Sequence, residues 1–196
     1  YHLTKRYKAC IRPICLEAIM TTAVTRERMI TFLLETPMFE NLDPLEIVEI
    51  LHIVEVQLFQ AGETLFNEGD PGDAWYVLYK GKTEVVKKAG NDEKLISVLG
   101  PGACFGEIAI LDGLPRSATI RATENSVVFR VPRSAFDALL DNDELVAYKL
   151  TYHMAILLAH RQRSVTNRLS KLLIAHQATE IHEGIEQIVG ESSVRE

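Results

Sequence analysis

The spacing of apolar residues divides the chain into three stretches with different periods. Up to residue 53 the period is helical. Ile30, Phe32, Leu33 and Leu34 form an apolar run that Pro37 ends. Asn41-Leu42-Asp43-Pro44 then offers an N-cap with a proline in the first turn, and Leu45, Val48 and Leu51 continue at helical spacing. From 54 to 133 the segments shorten. Nine of the 11 glycines lie between Gly62 and Gly113, and the stretches between them are rich in Val, Ile, Phe and Tyr. Strands are predicted at Val54–Phe59, Trp75–Lys80, Thr83–Lys88, Leu95–Leu99, Ala118–Ala122 and Val127–Val131, with shorter ones at Thr64–Phe66 and Ala103–Phe105. Turn signals at 69–73, 81–82, 90–92 and 100–102 separate them. Many short strands at regular spacing predict an antiparallel barrel or jelly roll.

After residue 133 the helical period returns. Ser134 is predicted to cap a helix over Ala135–Leu140. A long helix is predicted from near Asp143 to about Glu183, with Gly184 or Gly190 as its end. Along it, Met154, Leu158, Val165, Leu169 and Leu172 trace a stripe at spacings of 4, 7, 4 and 3. Such a stripe suits a coiled-coil seam or a helix packed on its own barrel.

Composition narrows the classes. A chain of 196 residues with 47% hydrophobic residues suits one domain plus flanking helices. The net charge of −6 gives no general attraction to nucleic acid, so an anionic ligand needs a local positive site. Three cysteines, Cys10, Cys15 and Cys104, argue against a disulfide scaffold and for a reducing, cytoplasmic setting. No apolar run approaches the ~20 residues of a membrane span. Residue 1 is Tyr rather than Met, which suggests a fragment or a chain with a disordered start.

The chemistry concentrates in residues 105–119, FGEIAILDGLPRSAT. Gly106 follows a Gly/Pro-rich loop and opens a short helix-like run, Glu107–Leu111, whose first N–H groups have no internal partners and can hold an anion. Gly113 and Pro115 turn the chain back and deliver Arg116, whose fork matches two phosphate oxygens. Glu107 is an acceptor suited to a ribose hydroxyl. The competing interpretation is a Glu107–Arg116 salt bridge on a barrel rim. The residues alone leave that choice open.

Gly106-Glu107-Ile108-Ala109 through Pro115-Arg116-Ser117-Ala118-Thr119 resembles the phosphate-binding cassette of cyclic-nucleotide-binding domains, as found in catabolite activator proteins and protein kinase A regulatory subunits. Phe39-Glu40-Asn41-Leu42, Gly62-Glu63, Glu68-Gly69-Asp70, Gly72-Asp73, Tyr76, Gly81 and Gly100-Pro101-Gly102 extend the resemblance over roughly residues 32–165. The resemblance implies an α+β fold: an eight-stranded antiparallel β-roll, a jelly-roll-like barrel, with N-terminal helices and a long C-terminal helix. The expected organisation is an N-terminal helical extension over 1–31, the nucleotide-binding domain over 32–165 with its β-roll at about 54–133, and a C-terminal helical extension over 166–196.

Carried over by the resemblance, Glu107 accepts from the ribose 2′-OH and Arg116 pairs with the exocyclic phosphate oxygens. The Ile108 and Ala109 amides and the Ser117 hydroxyl add donors, with Gly106 opening the approach. Val85, Ile96 and Ser97 fall where family members line the purine pocket, although Val85 and Ile96 suit plain core equally well. Arg161, Arg163, Ser164 and Thr166 are candidates for closing over the base, Arg163 foremost. Ser117 leans the ligand toward cAMP, since cGMP-selective relatives favour Thr there, and cGMP stays open as the alternative.

The implied role is a regulatory receptor rather than an enzyme, relaying a conformational change through its C-terminal helix. The alternatives are a nucleotide-free interaction or dimerisation domain of the same fold, or the sensor fragment of a larger regulator. A homodimer through the C-terminal helix fits the apolar stripe. DNA binding by this segment is not expected, because the stretch after Leu173 is short and carries Glu180, Glu183, Glu186, Glu191 and Glu196 against Arg195. No metal is expected either. Cys10 and Cys15, His176 and Glu180, and His153 and His160 each lack a third ligand at convincing spacing, and no histidine lies between His52 and His153.

Overall fold

The computed structural model describes residues 24–90 and 92–192, with side chains described as far as Ile174. Cys10, Cys15, the pair His176 and Glu180, and most of the expected 1–31 extension lie outside these described residues or side chains.

Helix α1 (Arg26–Leu34) starts at Thr25, whose hydroxyl accepts the Arg28 N–H, and stops short of Pro37, which opens a 3-10 turn over Pro37–Phe39. Helix α2 (Pro44–Leu51) is capped by Asp43, and the Glu46 carboxylate returns to the Asp43 N–H at 2.9 Å. This reciprocal box satisfies donors at both ends of the first turn.

All eight predicted strands form: β1 (Glu55–Phe59), β2 (Thr64–Phe66), β3 (Ala74–Lys80), β4 (Thr83–Ala89), β5 (Asp92–Leu99), β6 (Cys104–Phe105), β7 (Thr119–Ala122) and β8 (Ser126–Pro132). They make two antiparallel four-stranded sheets, ordered β1-β8-β3-β6 and β2-β7-β4-β5. Alternation along β3 explains how the sheets share a core. Ala74, Tyr76 and Leu78 join Phe105, Ile120 and Val128 inside the roll, with Phe59, Leu65, Phe66, Val85 and Leu99 packed around them. Trp75 points the other way, stacking on Phe39 at 6.1 Å and meeting Phe136 edge-on at 6.3 Å. Phe136 belongs to helix α4 (Arg133–Asp141). Helices therefore cover the outer face of this sheet, and β3 is buried on both sides. Strand β5 is the opposite case, an edge strand with Leu95, Ile96 and Val98 exposed.

Two helix boundaries depart from expectation. Helix α4 starts at Arg133 with Pro132 as its cap and no capping side-chain bond, so Ser134 is not its N-cap. The Arg133 N–H instead reaches the Asp73 carbonyl at 2.7 Å, so a distant loop fixes the entry. The long helix α5 (Leu145–Ser192) begins after Asp143, which sits in the left-handed region at φ 58°, and runs through both Gly184 and Gly190. A glycine inside a helix costs only about 1 kcal/mol relative to alanine, so it need not end one. The chain divides into two compact units after Lys149. In the second unit, Val165, Leu169 and Leu172 of the predicted stripe are exposed.

Candidate functional site

The site is built around Gly106, which joins β6 to the short helix α3 (Glu107–Asp112). Gly106 has φ 78°, a conformation glycine adopts without penalty. It also has no room for a side chain, since a Cβ there would lie 2.8 Å from Nη1 of Arg116 and 3.4 Å from the Ala74 carbonyl oxygen. Helix α3 has six residues, so its summed dipole is small and its individual amides matter more.

Arg116 is held from both sides. Its N–H donates to the Asp70 carbonyl at 2.8 Å and its carbonyl accepts from the Gly69 N–H at 2.9 Å. Its side chain is 1% exposed. Nη1 donates to the Gly106 carbonyl at 2.9 Å, and Nη2 donates to Asp73 Oδ1 at 2.9 Å. The guanidinium carbon lies 4.2 Å from the centre of the Phe66 ring and 5.8 Å from that of Tyr76, within cation–π range. The Nε–H is buried and has no hydrogen-bond partner among the described residues. Glu107, the first residue of α3, is itself buried at 1% exposure. Arg116, which holds the Gly106 carbonyl, and Glu107, the residue after that glycine, are therefore both buried rather than on a rim.

Asp73 is the residue that sequence reasoning missed here. It bridges Arg116 and Arg130, whose Nη2 reaches Asp73 Oδ2 at 2.7 Å while its Nη1 takes Glu55 Oε2 at 2.8 Å. Burial opposes ionisation of Asp73 most strongly, but the hydrogen bonds and charges of Arg130, then of Arg116, outweigh it and hold its carboxyl below the usual range. A depressed carboxylate contributes stability that is present above its ordinary pKa and lost as pH falls through the folded value. Thermal unfolding followed from pH 6 down to pH 2.5 is expected to show a steeper loss for the wild type than for Asp73→Asn; parallel curves would remove Asp73 as a source.

The other predicted residues divide clearly. Ala109 is buried, and its carbonyl accepts from Arg133 Nη1 at 3.2 Å. A Cβ on Gly72 would come within 2.5 Å of the Ala109 Cβ, so the 67–73 loop rests directly on α3. Ile108 is partly exposed on α3 and Ser117 is exposed just past Arg116. Val85 packs against the core and pairs with Ser97 across β4 and β5, so these two are neighbours. Ile96 and Ser97 are both exposed on the edge strand. Arg163 is exposed on α5, in the second unit. Of the two rings that flank the guanidinium, Phe66 was legible only as a strand residue, and Tyr76 was named only as part of the family resemblance.

Among the described residues no group of three or more His, Cys, Asp or Glu is arranged to hold a metal ion. Nor is any helix among them long and apolar enough to cross a membrane.

Comparison with known proteins agrees with this geometry. The family profile described as "Cyclic nucleotide-binding domain" matches residues 56–143. A "cAMP-dependent protein kinase regulatory subunit" of Emericella nidulans is 36% identical over 68% of this chain and 32% of its own length, so this chain spans about a third of that relative. The crystal structure of the Thermus thermophilus catabolite activator protein superposes with a TM-score of 0.62 at 31% identity, over 69% of this chain and 62% of that one. The regulatory domain of Toxoplasma gondii PKA, crystallised with cAMP, gives a TM-score of 0.54 at 28% identity, over 57% of this chain and 43% of that one. With its two-sheet roll, its glycine-opened α3 and the arginine that returns to it, the chain belongs to the cyclic-nucleotide-binding domain family.

Proposed function

We propose that this chain is a regulatory receptor for a cyclic nucleotide, cAMP foremost, which it binds without turning over. The buried Arg116, fixed at the Gly106 carbonyl with a spare Nε–H, carries the reading. A buried guanidinium calls for an anion, and its planar fork fits two phosphate oxygens. The Ile108 and Ala109 amides and Ser117 complete the phosphate end, and Glu107 takes the ribose 2′-OH. Val85, Ile96 and Ser97 face the base. The Toxoplasma neighbour's cAMP supports this choice of ligand.

One observation favours a nucleotide-free domain instead: Asp73 already neutralises Arg116. Yet Asp73 is 60% exposed and also paired with Arg130, so it keeps a partner when Arg116 turns toward a phosphate. Binding then costs one shared ion pair, a modest penalty at an exposed carboxylate.

The readout proposed is a repacking of the helices flanking the roll, ending in α5. A ligand drives this only by binding one helix arrangement more tightly than another. Trp75, the sole tryptophan of the chain, lies between Phe39 of the 3-10 turn and Phe136 of α4 and reports on that packing. Calorimetric titration with cAMP and with cGMP is expected to show binding, tighter for cAMP, with a parallel change in Trp75 emission. The absence of heat with both nucleotides would reject the receptor reading, and binding without an emission change would reject the repacking alone.

A further inference from the structure

We infer that Lys87 and Glu68 form a clamp that sets the position of the cassette's Ser117 end, making Lys87 a positioning residue of the nucleotide site. The inference rests on the receptor reading above. Lys87 lies on β4, outside the cassette and 30 positions from Ser117, yet its ammonium donates to the Ser117 carbonyl at 2.8 Å. The same ammonium lies 3.3 Å from Glu68 Oε1. Glu68 is in turn fixed at both ends. Its other carboxylate oxygen accepts the Lys88 N–H at 3.0 Å, and its own N–H donates to the Thr119 hydroxyl at 2.9 Å. The carboxyl of Glu68 is held below the ordinary range, first by the Lys88 N–H and then, against desolvation, by Lys87.

These contacts have one consequence for Arg116. Both backbone groups of Arg116 are tied to Gly69 and Asp70, and its guanidinium to Asp73, so the 67–73 loop holds it from one side. Lys87 holds the next peptide from the other side and anchors itself on Glu68, at the entry to that same loop. The peptide segment from Arg116 to Ala118 is thereby pinned between β4 and the 67–73 loop before any ligand arrives. A ligand that needs this peptide in one orientation meets it already ordered, which lowers the cost of binding. Lys82 provides the contrast. It also lies in the β3–β4 region and is 51% exposed, but its ammonium pairs with Glu124, away from the cassette.

The test is calorimetric titration of cAMP into the wild type and into Lys87→Met, Lys87→Arg and Lys82→Met, with the melting temperature of each ligand-free protein measured alongside. Loss of one charge-assisted tie is expected to weaken cAMP binding roughly three- to tenfold in Lys87→Met. Lys87→Arg keeps the charge and a donor and is expected within about twofold of wild type, while Lys82→Met is unchanged. Ligand-free melting temperatures are expected to agree within about 2 °C, as for most exposed substitutions. Wild-type affinity in Lys87→Met would overturn the clamp alone. Weakening shared equally by Lys87→Arg, or accompanied by a large fall in melting temperature, would assign Lys87 a general structural role and also overturn it. No binding by the wild type would instead overturn the receptor reading on which the clamp depends.

Discussion

Replacement of Arg116 by alanine is expected to weaken cAMP binding by about a hundredfold or more, the largest effect of any single substitution in the site. The side chain is 1% exposed and makes its two hydrogen bonds to fixed acceptors, the Gly106 carbonyl and Asp73. Its removal takes away the guanidinium that faces the phosphate and strands the Gly106 carbonyl, while Asp73 keeps Arg130. Arg116→Lys restores the charge but cannot fork, and is expected about tenfold weaker than wild type. Calorimetry decides the matter, with circular dichroism to establish that each variant is folded. Folded Arg116→Ala protein with wild-type affinity would remove the phosphate role entirely. The void left beside Phe66 is also expected to lower the melting temperature by a few degrees.

Substitution of Gly81 by alanine is expected to destabilise the roll by about 3 kcal/mol or more in urea unfolding, without touching the cassette. Two costs combine. At φ 95° an alanine is strained, and its Cβ would lie 2.3 Å from the Ser126 hydroxyl oxygen and 2.7 Å from the Asn125 carbonyl oxygen and the Ser126 Cα. Two of those neighbours are backbone atoms of the β7–β8 turn and cannot swing aside as a side chain can. Gly62→Ala is the matched control. Its φ is 88°, but nothing lies within 4 Å of the added Cβ, so only the conformational cost of about 1–2 kcal/mol applies. Equal losses in the two variants would mean that the 124–126 turn yields and that the close approach costs nothing.

The contrast between these two glycines is the general lesson of the chain. Turn chemistry marked Gly81 as a bend, because glycine between short apolar runs is a local signal, whereas Gly62 was named only in the family resemblance. The crowding at Gly81 depends on Asn125 and Ser126, which local reading does not place there. The strands were legible for the same local reason, and all eight formed. One failure was a local rule overridden from a distance, and the other was a local rule too weak to hold. Ser134 does not cap α4 because the Arg133 N–H finds the Asp73 carbonyl. The glycines at 184 and 190 do not end α5.

The candidate site divides along the same line. Residues 106–117 carried their chemistry in plain order, so Gly106, Glu107, Ala109 and Arg116 could be named from spacing and residue type. Asp73 could not, since it lies 43 positions from the arginine it holds. Lys87 and Phe66 were hidden in the same way, as strand residues whose neighbours the pleat alone does not reveal.

The amino-acid order by itself thus determined where the chain bends and which segments are extended, because each depends on residues within a turn or two of one another, and it offered residues 106–116 as a candidate anion site. Tertiary structure decided which carboxylate neutralises Arg116, what covers the faces of β3 and what pins Ser117. Those contacts join strands and loops far apart in the chain, and their partners are selected by sheet register and close packing, which no local pattern encodes.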